Sequence, residues 1–303
     1  MSVQPEPVQP GRRAVIHDLG YRPYEGARHG AGYVAWSLYK LGVRHGFGLG
    51  RSGRSKVLPF GLAGLMLLPA VILVGVIVVV PTFKAQIVPY SSFPVTTQLL
   101  VSVFVAAQAP VLFSRDIRYH TLALYFARPL RRTTFVLVRY ASLTTAIVLL
   151  MTAPLLVLYL GGLLAGLPFG RETVDFLVAM LGVLLLSALL AAVASVVAAV
   201  TPRRGLAVAA TIVVLVMGYA VVRAVMGIAE SFDTQVVGEA AGVFSPYTLI
   251  GGLLVSVFDA PVPLNMTTPE SVVGGLTYLV VGMLVIGAAL AALMLRYRKL
   301  AGG

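Results

Sequence analysis

Six long, uninterrupted runs of apolar residues are the feature that most restricts the fold of this chain. A helix that crosses the hydrocarbon core of a bilayer needs about 20 apolar residues at a rise of about 1.5 Å per residue. The runs of this length are residues 57–80, 93–113, 134–160, 174–200, 206–229 and 271–295. They lack the alternation of a lipid-facing barrel strand. The sequence therefore predicts an all-α integral membrane protein with six transmembrane helices.

The composition leads to the same class. Of the 303 residues, 58% are hydrophobic and 11% are charged, and the mean hydropathy is +0.93. A water-soluble protein of this size needs charged faces on most of its helices, and long stretches after residue 57 carry no charge. A soluble fold is therefore excluded.

The distribution of basic residues predicts the orientation. If every run crosses, arginine and lysine concentrate on one side, whereas the other side carries only Lys84 and Arg171. The positive-inside rule then places both termini in the cytoplasm. Basic residues that border spans face anionic lipid headgroups, so the net charge of +12 indicates membrane lipid rather than nucleic acid as a partner. The excess of arginine over lysine, with abundant Ala, Gly and Val, is typical of GC-rich bacterial genomes and indicates a bacterial plasma membrane.

Three regions follow from this reading: a cytosolic arm (1–32), an amphipathic helix (33–50) and a transmembrane domain (57–303). The amphipathic pattern predicts a helix in the inner membrane interface, because aromatic rings prefer the headgroup level and basic side chains reach phosphates. One face carries Trp36, Tyr39, Val43 and Phe47. Lys40 and Arg44 fall on another face. A helix packed on a cytosolic partner is the alternative.

The connection between the fifth and sixth spans holds a further apolar segment, residues 244–258, which is too short to cross. We expect a re-entrant or surface-lying element on the outer side. Its Gly251 and Gly252 would allow it to bend or to pack closely against a neighbouring helix.

The chain carries no motif for catalysis. None of its four lysines follows a glycine, so it has no Walker A motif for ATP, and it has no HExxH or GxSxG motif. It has no cysteine, and its four histidines lack metal-ligand spacing. We therefore expect a non-catalytic subunit with no metal or cofactor of its own.

Ionisable residues are almost absent from the apolar runs. Ion-coupled carriers commonly place such groups near the membrane midplane. Arg139 lies near the cytosolic end of the third run, and Arg223 is the one appreciably inside the fifth. Arg223 either pairs with an outer carboxylate such as Glu230 or Asp233, or lines a substrate path. If a helical bundle without such groups transports a substrate, its energy has to come from a source other than an ion gradient.

The loop after the second run, SRDIRYHTLALYFARPLRR (114–132), resembles the cytosolic loop of type-2 ABC exporter permeases, written D-R-x-x-G-T-L-x-x-x-x-S-x-P-x-S-R. The departures are Arg118 one place late, His120 for glycine, Ala127 for the serine before proline, and Arg131 for the later serine. Ser245-Pro246-Tyr247 also resembles the S-P-F of that family. The resemblance covers nearly the whole chain from residue 33.

The resemblance implies that the 115–132 loop is a coupling helix that docks on a separate ABC ATPase subunit, which binds ATP and magnesium. The implied interface residues are Arg115, Asp116, Arg118, Tyr119, Thr121, Leu122, Tyr125, Phe126, Arg128 and Pro129. The alternative places these aromatic residues in the membrane interface, as a continuation of the second span.

The resemblance also implies two six-span halves, from a second copy of this permease or a homologous one. The substrate path would lie between the halves, along the second and fifth spans. Its candidate polar residues are Gln98, Ser102, Gln108 and Arg223. Export is favoured over import, because no cytosolic loop resembles the EAA motif of importers. A membrane scaffold or sensor, and a stand-alone secondary carrier, remain the alternatives.

Overall fold

The computed structural model describes residues 30–79, 89–119, 130–201, 203–261 and 266–300, together with Gly26 and Tyr125. Within these ranges the regular structure is helical and no strand occurs. The α-helices are α1 (Ala31–Gly46), α2 (Arg54–Val79), α3 (Phe93–Thr96), α4 (Gln98–Leu112), α5 (Ser114–Arg118), α6 (Arg132–Leu164), α7 (Phe169–Val200), α8 (Arg204–Ile212), α9 (Gly218–Ser231), α10 (Gln235–Gly242), α11 (Pro246–Phe258) and α12 (Val272–Leu300). The predicted arm, residues 1–32, lies almost wholly outside the described residues.

Six helical stretches of the described chain are long and apolar enough to cross a membrane. They are α2, the continuous pair α4–α5, α6, α7, the stretch Arg204–Ser231 that contains α8 and α9, and α12. The prediction of an all-α, multi-pass architecture is therefore confirmed, and each predicted run corresponds to one of these helices.

The second span begins later than the run 93–113. Residues Tyr90–Ser92 form a 3₁₀ turn and α3 follows, but the chain leaves the helical path at Thr97 before α4 starts. The hydroxyl of Thr97 donates to the carbonyl of Phe93 (2.8 Å), a local bond of the kind that competes with regular helix. At the other end the span continues through Phe113 into α5, so polar residues extend it beyond the apolar run.

The second span occupies the centre of the bundle. In its most apolar stretch 72% of the residues are buried, against 22% for α2 and 17% for α12. The outward apolar side chains of α2 and α12 include Leu65, Leu68, Ile72, Val280 and Leu284. Helices that are apolar all round but exposed in the protomer have surfaces suited to lipid or to another subunit.

Helix α1 packs on α6 through small residues. Its buried positions Leu38, Gly42 and Gly46 recur every four residues and therefore form one stripe. A Cβ atom at Gly42 would lie 2.6 Å from Cβ of Ser142, and one at Gly46 would lie 3.1 Å from Cβ of Ala146. Small residues at such spacing let two helix backbones approach closely.

The segment between the fifth and sixth spans forms two helices, α10 and α11, and the chain bends by 117° between them. Two glycines of α11 fit closely against their neighbours: a Cβ atom at Gly252 would lie 2.6 Å from the ring of Tyr278, and one at Gly251 would lie 2.7 Å from Met266. Helix α11 runs unbroken through this glycine pair. The pair therefore serves close packing, and the bend lies before α11, near Ser245.

The fifth span contains a π-helical turn at Val213–Met217, between α8 and α9. Single π turns inside α-helices are uncommon and are frequent at functional sites. This turn lies midway along Arg204–Ser231.

The helix ends fall into two groups of opposite charge. The end that we call the basic end carries Arg115, Arg118 and Arg204. There Ser114 Oγ donates to the carbonyl of Thr201 (2.9 Å), and the hydroxyl of Tyr297 donates to the carbonyl of Phe113 (3.2 Å). These bonds bring together the ends of the second, fourth and sixth spans. The opposite, acidic end carries Glu172, Glu230, Asp233, Glu239 and Glu270.

Candidate functional site

A buried ion pair joins the second and third spans at the basic end. Arg139 Nη2 donates to Asp116 Oδ2 at 2.7 Å, and the two side chains are 3% and 12% exposed. Asp116 lies in α5, at the start of the predicted coupling segment, whereas Arg139 lies two turns into α6. In a poorly solvated position such a pair fixes the relative position of its two helices.

Aromatic rings surround the Arg139 guanidinium. Its central carbon lies 5.3 Å from the ring centre of Phe135 and 5.8 Å from that of Tyr125, within range for cation–π attraction. Phe135 in turn contacts Tyr125 (5.2 Å between ring centres) and the fully buried Tyr297 of α12 (5.7 Å). We call Asp116, Tyr125, Phe135, Arg139 and Tyr297 the arginine cluster. It links three spans to the loop that holds Tyr125.

The predicted coupling residues divide between this cluster and the surface. Asp116 and Tyr125 contact Arg139 and face the bundle, whereas Arg115, Arg118 and Tyr119 are exposed, Tyr119 at 64%. The predicted residues Thr121, Leu122, Phe126, Arg128 and Pro129 lie outside the described residues. In the described part of this segment, Tyr119 is therefore the aromatic residue available to a partner.

The residues predicted for the amphipathic helix do not share one environment. Trp36 is exposed, stacks on Tyr39 (5.3 Å between ring centres), and has the Lys40 ammonium 5.5 Å from its ring centre. Tyr39 reaches the protein, since its hydroxyl lies 2.9 Å from that of Thr145.

The C-terminal part of the same helix also approaches the bundle. Phe47, just beyond α1, packs on Phe60 and Phe104, with ring centres 6.3 and 5.8 Å away. Val43 is half-buried and Arg44 is exposed. The glycine stripe, which the aromatic pattern did not predict, lies at the centre of the helix contact; the G-x-x-x-G spacing of Gly42 and Gly46 was the available signal.

Two of the four candidate path residues meet at Tyr247. The hydroxyl of this fully buried tyrosine donates to the carbonyl of Gln98 (3.1 Å) and lies 2.8 Å from Ser102 Oγ. Its ring also meets that of Tyr219 edge-on, with centres 5.8 Å apart. Tyr247 thus connects α11 to the second and fifth spans.

The other two candidate path residues lie apart from this junction. Gln108 is buried in the second span, and Arg223 is half-buried in α9. Ser102 and Gln108 are covered within one protomer, so contact with a substrate would require the helices around the second span to separate. The sequence signal for Tyr247 was its place in the Ser245-Pro246-Tyr247 motif.

Tyr247→Phe is expected to lower the apparent free energy of unfolding by about 0.5–2 kcal/mol, because it removes a buried hydrogen-bond link between helices. Ser102→Ala is the matched variant and should cost less, since Tyr247 still donates to Gln98. Thermal unfolding of both purified variants measures the difference. An unchanged stability of Tyr247→Phe would show that the Tyr247 hydroxyl does not join the helices.

A cavity of about 440 Å³ opens at the acidic end, lined in part by Tyr90, Arg171, Glu172, Asp175 and Asp259. The Tyr90 hydroxyl donates to Glu172, and burial together with this carboxylate raises the pKa of Tyr90. Within the described ranges, no group of three or more His, Asp or Glu residues is placed to hold a metal ion.

No protein-family model matches the chain, and no curated protein matches it. Its residues and their geometry therefore carry the functional argument.

Proposed function

We propose that this chain is the membrane-spanning permease subunit of an ATP-driven ABC transporter, of the exporter type, in the bacterial plasma membrane. In this proposal the basic end faces the cytoplasm with both termini. The 115–132 loop docks on a separate ATPase that binds ATP and magnesium, and two permease halves enclose the path. Helix α1 lies at the inner membrane interface, and α10–α11 form a re-entrant hairpin on the outer side.

The observation that carries the proposal is the arginine cluster. A coupling segment must transmit a push from a soluble partner to the membrane helices. Asp116 attaches the start of this segment to Arg139 of the third span, and Tyr125, further along the segment, packs on Phe135 of the same span. Tyr297 extends the contacts to the sixth span. The segment that resembles a coupling helix is therefore fixed to the spans it would have to move.

The Tyr247 junction supports the same proposal. It lies where the outer helix α11 meets the second and fifth spans, the two spans expected to border the path. A change in the separation of these spans would break or make the contacts of Tyr247, which would couple the outer hairpin to opening of the path.

The direct test is to purify the chain gently from its native membrane and to identify the co-purifying proteins by mass spectrometry. The proposal predicts a stoichiometric subunit with a Walker A sequence. An intact, stable permease without such a subunit would contradict the proposal and favour the scaffold or sensor. Transport by the chain alone, driven by an ion gradient, would identify a secondary carrier.

Tyr119→Asp is expected to weaken ATPase binding roughly tenfold or more, because exposed aromatic residues are frequent energetic centres of interfaces. Tyr119 is better suited to this test than Tyr125, whose ring packs inside the arginine cluster. The measurement is the amount of ATPase retained on the immobilised permease at increasing dilution.

Phe232→Asp is the matched control for Tyr119→Asp. Phe232 is an exposed aromatic residue (74%) near the acidic end, on the opposite side of the proposed membrane. The Phe232→Asp variant should retain the ATPase. If Tyr119→Asp retained the ATPase equally well, the assignment of this segment as the docking surface would be wrong.

A further inference from the structure

A cleft at the basic end brings four arginines together. It has a volume of about 250 Å³, and Arg51, Arg115, Arg118 and Arg204 line it with the apolar residues Pro110 and Val111, with Ser114, and with Tyr119 at the edge of the proposed docking surface. We call it the arginine cleft. Its cations come from three separate parts of the chain: the loop after α1, helix α5, and the first residue of α8.

The arginine cleft has an excess of positive charge. Its described lining contains four guanidinium groups and no carboxylate. The nearby Asp116 is engaged by Arg139. Burial, together with the charges of Arg115 and Arg204, lowers the pKa of Arg51. An anion in the cleft would offset this mutual repulsion and would find several charge-assisted donors.

The position of the arginine cleft matches the headgroup layer. Arg51 precedes the start of the first span, Arg204 begins the fifth, and Arg115 and Arg118 lie in the last turns of the second. Pro110 and Val111 belong to the membrane-spanning helix α4. The cleft therefore presents guanidinium groups next to an apolar wall at the end of the spans. A phospholipid has the matching arrangement, because its phosphate is joined through glycerol to apolar acyl chains.

We propose that the arginine cleft binds the phosphate group of an anionic phospholipid from the surrounding leaflet. Arginine is suited to this role, because its planar fork of N–H donors matches the oxygens of a phosphate. The lipid phosphate offsets part of the positive charge of the cleft between the second and fifth spans. Its phosphate ties Arg51 and Arg204 to the helix that carries Arg115 and Arg118.

Two double variants of equal charge test the proposal. Arg51→Gln with Arg204→Gln removes two arginines of the cleft, and both lie outside the 115–132 loop proposed for docking. Arg54→Gln with Arg203→Gln removes two exposed arginines near them in sequence that do not line the cleft. General attraction to an anionic surface falls equally in both.

The full-length chain and both variants are reconstituted in nanodiscs of dioleoylphosphatidylcholine containing increasing fractions of dioleoylphosphatidylglycerol. The measured quantities are the thermal unfolding midpoint and the lipid retained in native mass spectrometry. The full chain and the 54/203 variant should be stabilised by phosphatidylglycerol and retain it. The 51/204 variant should bind it at least about tenfold more weakly, from the loss of two charge-assisted contacts.

A parallel series in pure phosphatidylcholine with inorganic phosphate identifies the source of the anion. Stabilisation by phosphatidylglycerol alone supports a lipid site, whereas equal stabilisation by inorganic phosphate supports a phosphate site filled from solution and overturns the lipid assignment. Equal loss of phosphatidylglycerol binding in both double variants, or no stabilisation of the full chain by phosphatidylglycerol, would overturn the proposal. Loss of a co-purifying ATPase from the 51/204 variant, without any lipid effect, would instead make the cleft a protein-docking surface.

Discussion

Arg139→Leu is expected to lower the apparent free energy of unfolding by about 3–5 kcal/mol, because it removes the guanidinium that donates to the buried Asp116 carboxylate. The Arg139 side chain is 3% exposed, and its 2.7 Å bond to Asp116 joins the second and third spans. It also contacts the rings of Phe135 and Tyr125, so the substitution loosens the aromatic residues as well. Thermal unfolding and monodispersity after heating of the purified chain measure the effect.

The exposed ion pair at the other end provides the control. Arg171 Nε lies 3.9 Å from Asp175 Oδ2, and its side chain is 83% exposed. Exposed pairs contribute little because solvent screens them, so Arg171→Leu should change the midpoint only slightly. Removing both buried partners, with Asp116→Leu and Arg139→Leu together, should recover much of the loss. If Arg139→Leu were no worse than Arg171→Leu, the buried pair would not stabilise this end of the bundle.

The same variant bears on function. If the coupling segment transmits force through Asp116 and Tyr125, an Arg139 variant that still folds should bind the ATPase through its surface residues but transport poorly. Reduced transport at normal ATPase retention separates a broken linkage from a broken docking surface, for which Tyr119→Asp is the probe.

Gly42→Leu is expected to displace α1 from α6 and to destabilise their contact by about 1–3 kcal/mol, the usual range for overfilling a packed interface. A Cβ atom alone at this position would lie 2.6 Å from Cβ of Ser142, so a larger side chain forces the helices apart. The chain has a single tryptophan, Trp36, which lies on α1. Its ring stacks on Tyr39, which contacts α6 through Thr145. The emission of Trp36 therefore reports the displacement directly.

Gly32→Leu is the matched control, since Gly32 lies in the same helix and a Cβ atom there would have no neighbour within 4 Å. It should leave the Trp36 emission unchanged and should not destabilise α1. Emission that is unaltered by Gly42→Leu would show that α1 does not depend on this close contact.

The spans were predictable because hydropathy and length suffice for helices in lipid. The prediction was least accurate where polar chemistry interrupts or extends a helix. Thr97 separates α3 from α4 within an apolar run, and the charged residues of α5 continue the second span beyond its apolar part. Hydropathy measures apolar content and not the path of the backbone, so it registers neither the break at Thr97 nor the continuation of the helix through charged residues.

The candidate site was predicted less completely, since its residues meet through tertiary contacts. A motif in one loop pointed to Asp116 and Tyr125, but nothing in their spacing named Arg139, Phe135 or Tyr297 as their neighbours. The charge of Arg139 inside an apolar run was a usable signal, because a buried cation needs an anion close by. For α1, the aromatic residues indicated an amphipathic face, whereas the glycines determine the close contact.

The π turn of the fifth span determines which side chains share a face. Ala207, Thr211 and Leu215 are fully buried, and Tyr219 packs partly on the same core. An α-helix turns by about 100° per residue, so residues four apart drift by about 40° at each step. The wider turn at Val213–Met217 accommodates an extra residue and removes much of this drift. The phase of the span therefore depends on the π turn: if the same residues wound as a regular α-helix, Tyr219 would rotate by about 100° relative to Thr211, away from Tyr247.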